Sequence, residues 1–497
     1  MLYHTTIFQT PTKKSVFGSI STTTIFCQTR ENKAEIVQVS HLSSSEQATQ
    51  FPSPMGLAAT RSSDMVRQVG EAIGKELVAV GFNWNIAPVI DILTDLTEPL
   101  DASRVFGDNH AAAVDYTSAF MKGLHGAGLT TIATEALSTT LSEAYQQTIA
   151  GGDLNGDAID NDEVRHLQQL FEGHVVDSVM LSSSIYDFDD TVRASESIKS
   201  VIYDVLRDRL GFRGLVMSNC SSLPPTNSHC LIHEPLRALF CGSDMVRLPP
   251  DPRTQIASIN AIYAAIEMSF LPVLTVATYS NRILALKSRY FSWSTINNLT
   301  PTPLLSLRSL HRPLADATYR ASITTFQDAI SPLIATPTTS VLLLLTPTVP
   351  PLGTSVQIFD PFEVLGRTIS RLRPLTRHVP YSLSVGITTT HVAFLRRASV
   401  VVMVLASTSS VLAEAEEEFW KAAESVLTES ENQGGNKVVR IVVGAGDVRD
   451  LTRSGILDKG WWGIECWEYT KSALEAVAEV LVGEREAIGT LPVTRRR

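Results

Sequence analysis

The chain has 497 residues, too many for one ordinary hydrophobic core, and its 44% hydrophobic and 19% charged content is that of a globular protein. A formal net charge of −10, with no long Lys/Arg run to offset it, gives no electrostatic basis for binding nucleic acid or a membrane surface. The five cysteines (Cys27, Cys220, Cys230, Cys241, Cys466) are scattered and form no C-x-x-C pair, which argues against a disulfide framework or zinc ribbon and for a reducing compartment.

In chain order, "MLYHTTIFQTPTKKSVFGS" lacks a continuous apolar core, and no apolar run anywhere approaches membrane-spanning length, so the expected location is cytoplasmic. From Ser63 to Val80, apolar Met65, Val66, Val69, Ile73, Leu77 and Val80 recur at helical spacing, with Ser63 as a candidate N-cap. "FNWNIAPVIDI" reads as a strand running into a loop. "HAAAVDYTSAFMKGLHGAG" reads as a helix from His110, closed at Gly128. "VVDSVMLSSS" is a strand, "SIKSVIYDVLRDRLGF" a helix and "GLVMSN" the next strand; "PLRALFCGSDMVRL" is a helix-turn-strand unit. Strands separated by helices imply a parallel sheet with right-handed crossovers.

Between about Ser292 and Ala321 the chain turns rich in Ser, Thr and Pro, as at a domain boundary. Beyond it, "SVLLLLTP", "ASVVVMVLAS" and "NKVVRIVVGAG" suit buried strands, and the acidic "AEAEEEFWKAAESVLTES" suits a helix with a solvated face. Asn219-Cys220-Ser221 and Asn298-Leu299-Thr300 match the glycosylation sequon, idle without a secretory signal. The histidines of "HCLIH" (His229, His233) have i, i+4 spacing, but ordinary surface or core histidines are the better reading, and no metal site is expected. In "GAGDVRDL" Arg449 stands where a dinucleotide fingerprint needs its third glycine, so no nucleotide cofactor is expected.

The segments "FPSPMGLAAT", "GKELVAVGFNWNIAPVIDI", "SRVFGDN", "MKGLHGAGL" and "SIKSVIYDVLRDRLGFRGLVMSN", followed by "VPYSLSVGIT", "CWEYTKSALEAVAEVLVG" and "GTLPV", resemble in their order glycoside hydrolase family 3, in particular its β-N-acetylglucosaminidase branch. The resemblance implies an α/β fold: a TIM-like (β/α) barrel over 1–295, a linker over 296–320 and a smaller α/β sandwich domain over 321–497. It also implies a carbohydrate ligand of the N-acetylglucosaminide type. The family's D-Q-E-G-G stretch falls on "CQTRENKAEIVQ", with Thr29 at the aspartate position and Glu31 and Asn32 kept, and the barrel unit expected upstream is not legible. Either the barrel is incomplete at its N-terminus or the gene model lacks its first exon.

Retaining glycosidases use one carboxylate as nucleophile and a second group as acid and base. In this resemblance the nucleophile position is Asn219, at the end of "GLVMSN", and the acid/base histidine falls on Gln147, its partner aspartate on Tyr145. An amide is neutral and a poor nucleophile, and Gln147 has no titratable proton. The sugar-binding Lys-His pair falls on Thr134 and Glu135, and a further histidine on Ser183; Arg104, Asp91 and Asp244 survive. Asp91 would bind a sugar hydroxyl or cap its loop, and Arg104 would grip a ligand or form a structural salt bridge; both alternatives stay open. Glu135, with Glu143, would supply replacement carboxylates in a rewired site. Cys220 reads as a small buried thiol rather than a nucleophile. The leading expectation is a family 3 homologue with hydrolysis impaired or lost. The alternatives are a non-catalytic carbohydrate-binding or scaffolding pseudoenzyme and a glycosidase or transferase rewired through Glu135.

Overall fold

A computed structural model describes residues 48–79, 82–93, 102–136, 161–173, 175–181, 199, 201–219, 228–248, 251–290, 303–327, 330–348, 360–406, 410–446, 451 and 455–494. The elements begin with α1 (Pro54–Ala59) and α2 (Ser63–Ala79), then β1 (Trp84–Asn85), α3 (His110–Gly126), β2 (Thr130–Thr131) and β3 (Ala133–Ala136). They continue with α4 (Asn161–Glu172), β4 (Ser178–Leu181), the π-wound helix α5 (Val201–Arg209), β5 (Leu215–Asn219), α6 (Ser228–Phe240) and β6 (Met245–Arg247). Next come α7 (Pro252–Glu267), α8 (Val273–Tyr290) and α9 (Leu304–Ser322). The C-terminal part carries β7 (Thr324–Thr325), β8 (Leu342–Pro347), α10 (Glu363–Leu372), β9 (Thr376–Tyr381), α11 (Thr389–Leu395) and β10 (Val400–Leu405). It ends with α12 (Ser410–Asn432), β11 (Val439–Gly444), β12 (Trp462–Glu465) and α13 (Lys471–Leu481).

The chain divides into two compact units. Among the described residues, one contains Gly70–Asp91 and Ala113–Leu307; the other contains 48–69, then Ile92–Ala112 and Arg308–Arg497. Residues 48–69 and 92–112 thus group with the C-terminal part although they precede most of the first unit in sequence. Most of the stretch read as a linker over 296–320 lies in α9 (Leu304–Ser322). Leu307, His311, Ala315, Thr318 and Tyr319 recur there at helical spacing and are buried, and that periodicity prevails over composition.

In the first unit β3–β4–β5–β6 form a parallel sheet. β1 pairs in parallel with β2, and Val89 bridges Thr134, so the chain around 84–89 runs beside 130–134 as a further parallel pairing. The strands have two apolar faces. Ala133, Val179, Leu181 and Val216 pack with helix residues such as Leu170, Ile202, Val205 and Leu206. Ile132, Met180 and Met217 pack on the opposite face with Trp84, Ile86 and Met245. Burial on both faces explains why "GLVMSN" reads as a continuous apolar run rather than an alternating one. Helices α2 and α3 approach closely at Gly70, where a Cβ would stand 2.4 Å from the Phe120 carbonyl oxygen, so only glycine fits.

The second unit is built on a six-stranded sheet, order β7-β12-β11-β10-β8-β9, parallel except for β7 against β12. One face buries Leu342, Leu344, Val400, Val402, Val404, Ile441 and Val443 against Leu365 and Ile369 of α10 and Leu474, Val477 and Leu481 of α13. On the other side Tyr381 stacks on Phe419 of α12 at 3.9 Å between ring centres, and His391 of α11 meets Phe419 edge-on. This helix–sheet–helix layering is that of an α/β sandwich. The acidic helix α12 is not wholly solvated: Glu416 is buried and its carboxylate accepts the Ala406 amide at the end of β10 at 2.9 and 3.1 Å.

The C-terminal segment of this unit is fastened to its N-terminal pieces. Gly489 bridges Thr324, Thr490 N–H donates to the Ala59 carbonyl at 2.9 Å, and Arg61 donates to Thr490 Oγ1 and the Leu491 carbonyl. Thr494 N–H donates to Asp108 Oδ2 at 2.7 Å.

Candidate functional site

Strand register and the two-residue period of side-chain direction define the site. Thr134, Met180, Met217 and Met245 stand in one row across β3–β4–β5–β6. Met180, Met217 and Met245 belong to the cluster that faces away from the helices, so Thr134 lies on that inner face. Two residues further along, Asn219 ends β5 and is in register with Arg247, which ends β6. The same period puts Asn219 and Arg247 on the inner face, one row above the methionines. Asn219 is 9% exposed and Arg247 half-buried, so this row is the boundary between the packed interior and accessible space. The C-terminal ends of parallel strands are where barrel proteins carry ligand-binding and catalytic groups.

Thr134 is fully buried; its hydroxyl donates to the Pro88 carbonyl at 3.3 Å, and its amide donates to the same oxygen at 2.9 Å. Its own carbonyl accepts the Ile90 amide at 3.1 Å, so this threonine ties the 88–90 segment to β3. At Glu135 the backbone bulges: Thr134 pairs with Met180 and Ala136 with Leu181, leaving Glu135 as the extra residue. Asp91 is half-buried just beyond that segment, in the first unit. Arg104 is buried but belongs to the second unit. Gln147, Tyr145, Glu143, Ser183, Cys220, Thr29, Glu31 and Asn32 lie outside the described residues.

The opposite, N-terminal end of the sheet is structural. Asp244, just before β6, has no exposed side-chain surface; its Oδ2 accepts Arg207 at 3.0 Å and the Val216 amide at 2.9 Å, and its Oδ1 accepts Arg282 at 2.6 Å. Asp177, just before β4, receives Arg289 at 2.6 Å, the Tyr290 hydroxyl, and His125 at 3.5 Å. Burial lowers the His125 pKa and Asp177 opposes that shift. Burial, then the bond to Asp177, raises the Tyr290 pKa, which keeps this phenol protonated. These pairs fasten strand starts to helix ends and are far along the strands from Asn219. Asp244 therefore serves as a staple. Among the described residues no cluster of His, Cys, Asp and Glu could hold a metal ion, and no helix is long and apolar enough to cross a membrane.

Residues 37–286 match the sequence model of the glycosyl hydrolase family 3 N terminal domain. The chain belongs to glycosyl hydrolase family 3. A beta-N-acetylglucosaminidase/beta-glucosidase of Cellulomonas fimi is 28% identical over 190 residues, 36% of this chain and 33% of that protein. A beta-hexosaminidase of Mannheimia succiniciproducens is 26% identical over 262 residues, 51% of this chain and 72% of that one. This family 3 chain therefore aligns over only about a third of the Cellulomonas protein's length. Among solved structures, a fungal multi-domain family 3 beta-N-acetylglucosaminidase is similar at TM-score 0.71 and 20% identity, covering 90% of this chain and 51% of that one. A family 3 beta-N-acetylglucosaminidase from a Paenibacillus species reaches TM-score 0.67 at 20% identity, covering 90% and 83%. Those likenesses concern the fold. The expected family and fold class, α/β with a TIM-like barrel in its N-terminal domain, hold for this chain.

Sequence reasoning passed over Arg247, read only as part of the strand "DMVRL". The signal was present: an arginine two residues after Met245 in the same strand lies on the same face.

Proposed function

We propose that this family 3 chain is a carbohydrate-recognising relative of the β-N-acetylglucosaminidases in which hydrolysis by the family mechanism is impaired or lost. The observation that carries the reading is Asn219 itself. It ends β5 on the inner face of the barrel strands, where the resemblance expects the nucleophilic carboxylate, and it is an amide. An amide neither attacks the anomeric carbon well nor stabilises an oxocarbenium ion by charge. Gln147 at the acid/base position and Thr134 at the sugar-binding lysine position point the same way. Losing a nucleophile commonly lowers the rate by about 10⁴ or more.

The test is turnover of a chromogenic N-acetyl-β-glucosaminide, with sugar binding measured by calorimetry. No turnover above buffer together with measurable N-acetylglucosamine binding is the expected result; turnover typical of a working glycosidase sinks the reading. A second reading, a glycosidase or transferase rewired through Glu135, is favoured by one observation, the bulge in β3 at that residue. Turnover that Glu135→Gln abolishes would select it.

A further inference from the structure

We propose that α12 and the short helical turn Leu457–Lys459 form a second saccharide site, one that takes an uncharged oligosaccharide of the N-acetylglucosaminide type. The choice of sugar rests on the carbohydrate-recognising reading above; the site itself is built wholly from residues of the second unit. An open groove of about 610 Å³ lies between α12 and that turn, with Trp420, Ser425, Thr428, Asn432 and Lys459 among its lining. Lys421, Ser425, Thr428 and Asn432 follow one another at three- and four-residue spacing, so one stripe of α12 supplies most of the wall. At a rise of 1.5 Å per residue that stripe is ~16 Å long, more than one sugar ring.

Glu424 fixes the two sides of the groove to each other. Its Oε2 accepts the Trp461 indole N–H at 2.9 Å and Arg440 Nε at 3.1 Å, and its Oε1 accepts the Thr428 hydroxyl at 3.1 Å. Trp461 is fully buried two residues after Lys459, so its bond holds the turn against α12 and sets where Lys459 stands. A preformed groove spares a ligand the entropy of ordering it.

Much of the groove's hydrogen-bonding capacity is unspent. Among the described residues, the side chains of Ser425, Asn432 and Lys459 make no hydrogen bond or ion pair. Trp420 is 3% exposed and its indole N–H has no acceptor, a state that buried donors rarely keep. A ligand hydroxyl, or a water that the ligand orders, supplies the missing acceptor.

Charge and lining together select the ligand class. Lys421 and Lys459 are matched by Glu424 and Glu429, so the lining favours neither an anion nor a cation. Trp420 apart, every lining side chain is polar, which leaves no apolar recess for the anchor residue of a peptide. Hydroxyl, amide and ammonium groups along one stripe match a chain of sugar hydroxyls and acetamides instead.

The experiment is lysine acetylation of the full wild-type chain by an N-hydroxysuccinimide ester, read residue by residue in a mass spectrometer. It is run alone, with tri-N-acetylchitotriose, and with an uncharged Ser/Asn tetrapeptide. The trisaccharide should slow acetylation of Lys459 and leave Lys471 of α13 unchanged; the peptide should shield neither. Calorimetry then compares wild type with an Asn432→Ala, Lys459→Ala protein. Both residues are exposed, so the fold should tolerate the change. Loss of two ligand hydrogen bonds should weaken the trisaccharide at this site by ~10-fold or more.

Trisaccharide binding that leaves Lys459 unshielded, or that the double variant keeps in full, overturns this proposal and leaves the carbohydrate reading intact. Shielding by the peptide as strong as by the sugar marks a peptide groove and overturns it too. Binding of no sugar at all overturns both readings.

Discussion

The Ser53 amide and the Glu468 carboxylate, 415 residues apart, are joined by a hydrogen bond of 3.1 Å. Ser53 is the N-cap of α1, its hydroxyl accepting the Gly56 amide, and Glu468 also receives the Tyr319 hydroxyl at 2.8 Å and the Thr470 hydroxyl at 2.7 Å. One buried carboxylate thus holds three separated parts of the second unit. Glu468→Ala strands these buried donors, and each unsatisfied one costs about 1–3 kcal/mol. Chemical denaturation should show the C-terminal unit destabilised by at least that much; an unchanged midpoint would mean the contact is not made in solution.

High pH should loosen the same region. Burial, then Glu468, raises the Tyr319 pKa well above 10.0, and burial, then Glu465, raises that of Cys466 well above 9.0. Both groups keep their protons in the folded state at a pH where the unfolded chain has lost them. The unfolded state then binds fewer protons, and stability falls as pH rises past about 9 to 10. Melting temperatures between pH 8 and 11 should show this fall, and it should be shallower in a Tyr319→Phe, Cys466→Ala protein. An equally steep fall in that double variant would refute the assignment.

Gly107→Ala should be poorly tolerated. Gly107 has φ +115, in the region that disfavours side chains, and a Cβ there would lie 2.3 Å from the Pro492 carbonyl oxygen. Strained backbone alone costs on the order of 1–3 kcal/mol. A drop in melting temperature is expected, with the 489–494 segment becoming more accessible to protease; a protein as stable as wild type would show that this segment does not pack there.

Asp244→Asn removes the counter-charge of Arg207, whose side chain is 7% exposed. Breaking a buried pair from one side typically costs about 3–5 kcal/mol, because the remaining charge stays buried. A midpoint shift of that size in the first unit is expected. A shift below about 1 kcal/mol would place the pair among weak surface bridges.

The strands were legible because burial on both faces writes them as continuous apolar runs: "GLVMSN", "SVLLLLTP", "ASVVVMVLAS" and "NKVVRIVVGAG" coincide with β5, β8, β10 and β11. The helices from Ser63 and from His110 were legible by period, as α2 and α3. The division into units was not, since 48–69 and 92–112 join the C-terminal part through contacts such as Ser53–Glu468 and Arg61–Leu491, which leave no trace in local pattern. Helix α9 was masked by its Ser, Thr and Pro content. At the site, Asn219 was legible through the resemblance. The two-residue period puts Arg247 on the face of Met245, but its place beside Asn219 needed a strand register, which a single sequence does not contain.

The proposed loss of hydrolysis rests on changed residues at more than one position expected to carry the chemistry, Asn219 and Gln147 among them. The most direct measurement is turnover of a chromogenic N-acetyl-β-glucosaminide by wild type and Asn219→Asp side by side. Both should remain at the buffer rate, because restoring one carboxylate leaves Gln147, Thr134 and Glu135 as they are. Robust hydrolysis by either protein would contradict the account.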